Sequence, residues 1–336
     1  MSGVLMPWNV GDEKDRRYQF CCLASLEGAN VSALCRRFEI ARKTGYKWLA
    51  RFEAEGRDGL ADRSRAPRTS PLRTAPEVEA LVCSVREAHP AWGGRKIRWL
   101  LERQGITELP AVSTITDILR RNGLLGAPMP RDPVAWERFE AVAPNDMWQM
   151  DFKGWFDTSQ GRCDPFDVLD DHSRFNLCLS AYGDQKATTV KTLLSATFRE
   201  YGIPKQILCD NGSPWANTQT GFRWTALGVW LLDLDIQITH TAVRHPQTIG
   251  KDERFHRTLG LEVLATRPAW ESRADVQAAF DQWRPIYNHQ RPHEALTGAV
   301  PADRYNASTT PMPERIEPYQ YPENYRTQTS GGPRPH

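Results

Sequence analysis

The sequence predicts an α/β core built on a mixed sheet and preceded by two all-α helix-turn-helix units. Three observations lead there. Over residues 16–123, apolar side chains recur at helical spacing beside clustered Arg and Lys. Beyond residue 145, short β-branched and aromatic runs alternate with helical segments. Three acids, Asp151 in WQMDFKG, Asp210 in ILCDNGSPW and Glu253 in HPQTIGKDERFHRTL, each stand near a glycine or turn, as when a rigid element delivers a side chain into a cleft.

With 336 residues the chain has room for two or three domains. Its net charge of +2 is split unevenly, with 22 Lys/Arg against 16 Asp/Glu in residues 1–135 and 21 against 25 in the remainder. A basic front half suits phosphates, and an acidic back half suits metal chemistry. The seven cysteines form no C-x-x-C pair, so they read as reduced, mostly buried thiols of a cytosolic chain without a zinc site. No apolar run reaches the roughly 18 residues of a membrane span, and the start lacks a signal-peptide pattern.

Residues 16–26, 32–38 and 42–55 read as three short helices, the first domain being 1–62. In the third, Gly45, Trp48, Leu49 and Phe52 fall at i, i+3, i+4 and i+7 and form an inward stripe. Arg42, Lys43, Thr44, Tyr46 and Lys47 are then placed to meet DNA in a major groove. The alternative is a helical bundle with a solvated basic face. Glu39 and Ala41 occupy the turn where glycine and a good N-cap are common.

Residues 63–75 read as an extended basic linker whose Arg63, Arg65 and Arg68 suit a minor groove, or else as a plain solvated tether. A second helix-turn-helix domain follows at 76–125. Val78, Leu81, Val82 and Val85 make one stripe, WGGRKIRWLLERQG opens another helix, and Ser113 caps STITDILRRNG, which stops at Gly123. Arg95, Lys96, Ser113 and Thr114 are its candidate DNA contacts.

Residues 126–144 are proline-rich and read as a linker to a core over 145–305. There MWQMDFKGWFD, DPFDVLDDHSR and FNLCLSAYGD predict three strands, ATTVKTLLSATFREYG a helix, KQILCD and DIQITHTAV two more strands, and GKDERFHRTLGLEVLA a helix. A further helix and an Arg/His-rich loop follow, and residues 306–336 read as a disordered tail.

Several unpaired carboxylates share one cleft only if cations neutralise them, and two divalent ions about 3.5–4 Å apart would do so. Two Mg2+ or Mn2+ ions on Asp151, Asp210 and Glu253 are therefore expected, for phosphoryl transfer without a covalent intermediate. Each acid also has a plainer reading. Asp210 before Asn-Gly could simply form a turn, and Glu253 could pair with Arg257. Asp157, Asp167, Asp170, Asp171 and Asp252 lie nearby, Asp171 looking structural. Lys251, Arg254 and Arg257, with His245 and Gln247, are placed to hold the scissile strand. Tyr287, Asn288, Arg291 and His293 either join them or only pack.

WQMDFKG, DDHSRF, LCDNGSPW, HPQTIGKDERFHRTL and YNHQRPHEAL, in this order, resemble the integrase-type core of bacterial insertion-sequence transposases, in the DDE transposase and retroviral-integrase superfamily. CRRFEIARKTGYKWLARF and HPAWGGRKIRWLLERQG resemble that family's helix-turn-helix units. The resemblance implies an RNase H-like fold, a Mg2+-dependent triad at Asp151, Asp210 and Glu253, end cleavage and strand transfer, and it selects Glu253 over Asp252. It also implies double-stranded DNA partners, namely terminal inverted repeats and a target, a homodimer or larger assembly, and a place in the bacterial cytoplasm at the nucleoid. A helper protein is left open. Two departures stand out: 42 residues separate Asp210 from Glu253, longer than in many relatives, and Ile249 replaces a frequent Asn. A catalytically silent DNA-binding regulator and an RNase H-like nuclease without strand transfer are the alternatives.

Overall fold

The computed structural model describes residues 13–63, 74–126, 140–217, 223–240 and 250–316. Arg65, Arg68, His245, Gln247 and Ile249 lie outside them. The chain forms two compact units, 1–73 and 74–336.

In the first unit, α1 (Glu13–Ala24), α2 (Val31–Arg37) and α3 (Arg42–Glu55) bury Phe20, Cys21, Cys35, Trp48 and Leu60. The stripe on α3 is inward as its spacing predicts. At Gly45 a Cβ would lie 2.6 Å from Cys35 Sγ and 2.9 Å from Phe20 Cζ, so only glycine lets α3 press onto its partners. Glu39 itself adopts the left-handed conformation, φ 56°, that glycine would supply in the turn. Ala41 makes no side-chain cap, whereas Asn30 accepts from the Ala33 N–H and caps α2.

The second unit opens with α4 (Pro76–Ala88), α5 (Gly94–Arg103) and α6 (Val112–Arg121), packed around Val82, Trp92, Ile97, Leu101, Ile115 and Ile118. The predicted cap at Ser113 is corrected. Because α6 starts one residue before it, with Ala111 extended at the N-cap position and without a side-chain bond, Ser113 sits exposed inside the first turn.

The core is a mixed sheet of the RNase H-like kind. β1 (Trp148–Phe152), β2 (Phe156–Thr158), β3 (Gly161–Asp170) and β4 (Asn176–Tyr182) are followed by α7 (Ala187–Tyr201) and β5 (Gln206–Cys209). The strand predicted over MWQMDFKGWFD breaks into β1 and β2 at Gly154, where φ is +94°. A short hairpin, β6 (Ala216–Asn217) with β7 (Arg223–Trp224), then leads to α8 (Ala226–Asp233) and β8 (Gln237–His240). That hairpin takes up part of the long Asp210-to-Glu253 interval. Helices α9 (Gly250–Glu262) and α10 (Arg273–His289) complete the core.

β4, β3 and β1 pair antiparallel, and β1, β5 and β8 pair parallel, so β1 lies at the centre; β2 extends the sheet beside the start of β3. One face, with Trp148, Met150, Phe166, Val168 and Ile207, packs on α7 and α8. The other, with Cys163, Leu169 and Leu179, packs on α9 and α10 through Phe255, Leu259, Phe280 and Trp283.

The tail reading is corrected for residues 306–316. Ser308 N–H donates to Tyr201 O at 2.8 Å, Ile203 N–H donates to Thr310 O at 2.8 Å, and Met312 and Ile316 pack on the core. Enough apolar side chains remain there to hold the strap down. All seven cysteines are free, with Cys22 exposed, Cys83 partly buried and the others buried. Among the described residues, no helix is long and apolar enough to cross a membrane.

Candidate metal and nucleic-acid site

Side chains alternate along β1. With Trp148 and Met150 committed to the α7 face, Asp151 falls on the face covered by α9, directly opposite Asp167 of β3. Its Oδ1 accepts from the Phe152 N–H at 2.8 Å. Asp210 follows the last residue of β5, the parallel neighbour of β1, so two carboxylates leave adjacent strands at the same sheet edge. Asp210 Oδ1 accepts from the Gly212 N–H at 2.9 Å, and a Cβ on Gly212 would come within 3.0 Å of the carboxylate. The glycine therefore keeps that side of Asp210 open. His240 Nδ1 lies 3.0 Å from Asp210 O and ties β8 to the turn.

Helix α9 buries Asp252, Phe255, Thr258 and Leu259, which leaves Glu253, Arg254 and Arg257 on its exposed side. Asp252 is 1 % exposed, its Oδ1 has no hydrogen-bond partner, and its pKa stands well above the usual carboxylate range. Burial is the main cause, followed by the charges of Asp167, Asp151 and Asp171, with Lys251 opposing. Asp151 is pushed up to about 6 by burial, then by Asp167 and, more weakly, by Asp210; His256 acts the other way. The buried Asp167 is also raised, chiefly by burial.

His256 Nε2 lies 2.6 Å from Asp167 Oδ1. Burial alone would lower His256, but the carboxylates of Asp167 and Asp151 outweigh it and its pKa is raised. Lys251 forms an ion pair with the fully buried Asp171. Asp171 further accepts from the Ala141 N–H at 2.7 Å and Gln149 Nε2 at 2.6 Å, and Asp170 from the Ser173 N–H at 2.7 Å. Both acids of the DDHSR turn are structural.

Asp151 and Asp210 thus share an edge, while Glu253 points outward. Among the described residues no group of three or more His, Cys, Asp or Glu side chains is gathered to hold a metal ion. The buried companion of Asp151 on α9 is Asp252, whose carboxylate the sequence pattern passes over in favour of Glu253. His256 was missed altogether; its only signal was a histidine three residues after an acid.

The other candidates divide by location. Arg42, Lys43, Tyr46 and Lys47 are exposed along one side of α3, with Thr44 partly buried, and Lys47 Nζ lies 4.2 Å from the Trp48 ring centroid. Arg63 is exposed and ion-paired with Glu55. Thr114 is partly buried beside the exposed Ser113. Arg95 pairs with Glu294 at 3.1 Å, and burial holds Lys96 down to about 8, so both face the core. Tyr287, Asn288, Arg291 and His293 are packing residues: Asn288 brackets the Asn176 backbone and Arg291 Nε donates to Glu262 at 2.9 Å.

Two Homeodomain-like domain families match residues 13–61 and 44–119, and two Integrase core domain families match residues 141–246 and 234–301. The chain is similar to the transposase InsD of insertion element IS2A/D/F/H/I/K from Escherichia coli, 26 % identical over 225 residues, covering 62 % of this chain and 71 % of that one. It is similar also to InsD of IS2-9 from Escherichia coli strain K12, at 26 % identity over 62 % of this chain and 69 % of that one. Among solved structures, the HTLV-2 integrase catalytic core domain in complex with magnesium aligns at 14 % identity and a TM-score of 0.38, covering 49 % of this chain and 99 % of that one. The BIV integrase catalytic core aligns at 21 % and 0.36, covering 47 % and 92 %.

Proposed function

We propose, from the premise that this chain belongs to the insertion-sequence transposases of the DDE transposase and integrase superfamily, that it binds the terminal inverted repeats of its element and cuts and joins DNA at Asp151, Asp210 and Glu253. The chain is a DNA transposase, an enzyme of polynucleotidyl transfer, with helix-turn-helix DNA-binding domains ahead of an integrase core. The observation that carries the site is the exit of Asp151 and Asp210 from the ends of adjacent parallel strands, with the helix bearing Glu253 on the same face as Asp151.

The residues suit divalent cations. Every candidate ligand is a hard carboxylate oxygen, and Asp151 is raised by burial first and then by neighbouring negative charge, the part a cation would relieve. Mg2+ or Mn2+, two per site, is the reading for identity and number; such ions polarise the phosphodiester and the attacking hydroxyl. Glu253, exposed on α9, is the third carboxylate of this reading and would join the two aspartates when metal and DNA are bound. Arg254 and Arg257 flank it on the exposed side and are placed to hold phosphates. Lys251, committed to Asp171, fixes the start of α9 instead.

The domains are taken as 1–62, a linker at 63–75, 76–125, a linker at 126–144, and the core from 145. Arg42, Lys43, Tyr46 and Lys47 read DNA from α3, with Arg63, Arg65 and Arg68 along the minor groove. Two element ends have to be brought together, so a dimer or larger assembly on DNA is the working form. Strand transfer into a supercoiled target with Mg2+ tests the site: D151N, D210N and E253Q each abolish joining. Undiminished joining by any of them sinks that assignment. Free nicks without joined products would point to a nuclease, and repeat binding without cleavage to a regulator.

A further inference from the structure

The second helix-turn-helix unit does not hang from the core on a tether. Helix α5 is seated on the core's C-terminal segment. Arg103 makes a two-pronged pair with Asp303, Nη1 to Oδ2 at 2.7 Å and Nη2 to Oδ1 at 2.6 Å. A little over two turns earlier, Arg95 pairs with Glu294. Between them Trp99 covers Gly298, where a Cβ would come 2.8 Å from the indole ring and where φ is +96°. Ile286 of α10 packs into the apolar cluster of the helical unit. Three contacts along one side of α5, with Ile286 against the cluster behind them, define an orientation as well as an attachment.

Helix α6 stays free of this seat. Its Ser113, Asp117 and Arg120 are exposed, while Ile115, Ile118 and Leu119 face α4 and α5. In a helix-turn-helix the last helix enters the major groove. We infer that α5 is a strut that holds α6 at a set distance and angle from the Asp151 and Asp210 edge, so that the place where α6 reads the DNA determines which phosphodiester is cut. Arg95, Trp99 and Arg103 are positioning residues in this scheme and touch neither DNA nor metal. The inference rests on the transposase reading for its consequence, and on the contacts alone for the strut.

Two measurements separate those layers. Hydrogen exchange of residues 291–303 in the DNA-free full chain reads the seat without any activity. R95E and R103E should each accelerate exchange there, and the swapped pair R95E/E294R should restore protection; unchanged exchange in both single variants overturns the strut. Cleavage of an end-labelled duplex taken from the DNA flanking the coding sequence, with Mg2+, reads the consequence. The single variants should spread the cuts over neighbouring phosphodiesters and lower the principal cut severalfold, and R95E/E294R should bring it back. Recovery with Glu still at position 95 excludes a DNA contact by Arg95. Single variants that cut as sharply as the parent overturn the inference. A parent that cuts nothing while the exchange pattern holds overturns the transposase reading and leaves the strut standing.

Discussion

His256 Nε2 meets Asp167 Oδ1 at 2.6 Å, and Asp167 is the cross-strand partner of Asp151, so a single buried contact joins the helix bearing Glu253 to the strand beside the one that carries Asp151. Removing the imidazole strands a buried carboxylate. H256A should cost on the order of 3 kcal/mol at neutral pH, and D167N in the same chain should recover much of it. A denaturant-unfolding cycle of the two single variants and the double variant measures the coupling; additive effects would deny the tie. Because the folded His256 pKa is raised, its contribution is full below the unfolded value of about 6.5 and fades as pH climbs through the folded one.

Asp151 behaves in the opposite sense to a salt-bridged aspartate. Its folded pKa of about 6 lies above the ordinary value, so the native state holds a proton that the unfolded chain gives up. The stability it contributes is present at low pH and is lost as pH rises through 6. In metal-free protein, D151N should therefore stabilise at pH 8 by about 1–3 kcal/mol and have little effect at pH 4, while abolishing joining. Thermal melts at the two pH values check it, and equal shifts would refute the cause.

Asp252 and Glu253 can be told apart. With one oxygen unpartnered and three carboxylates pressing on it, Asp252 strains the fold, and D252N should raise stability by roughly 1–3 kcal/mol with joining retained. E253Q should leave stability nearly unchanged and end joining. The reverse pattern in paired melting and strand-transfer measurements would make Asp252 the ligand.

The side chain missing from Gly45 is a further handle. G45A drives a methyl into Cys35 Sγ and Phe20, which should cost the first unit about 1–3 kcal/mol by overpacking. Unfolding of the first unit at lower denaturant than in the parent, together with weaker repeat binding in gel shift, is the expected result.

On α3, Lys43 and Lys47 are exposed phosphate candidates. K43A and K47A should weaken binding across sequences and reduce the slope of log affinity against log salt by about 1 each. An unchanged slope would remove that residue from the interface.

What was legible in the sequence is what local pattern encodes. The 3.6-residue stripe of Gly45, Trp48, Leu49 and Phe52 gave α3 its bounds, and the runs ending at Asp151 and Asp210 placed both acids at strand ends. Charges that meet only through tertiary contact are invisible to local pattern. Arg95 and Lys96 stand in the sequence as basic residues at a helix start, and only the fold brings Glu294 and Glu262 of the core against them. Asp252 looks like an ordinary polar position on a helix until β3 and the turn after it bring Asp167 and Asp171 against it. At Ser113 the residue type outweighed the backbone entry at Ala111 in the reading, and the backbone decided.

The strap at residues 308–310 carries a practical consequence for anyone dissecting this chain. Gly202 is moulded against it, with the carbonyls of Ser308 and Thr310 each 2.7 Å from where a Cβ would sit, and the strap lends hydrogen bonds to the loop that feeds β5. A fragment trimmed after Tyr305, at the end of the recognisable motif, would bare the edge that delivers Asp210. The shortest catalytic piece worth expressing ends no earlier than Ile316.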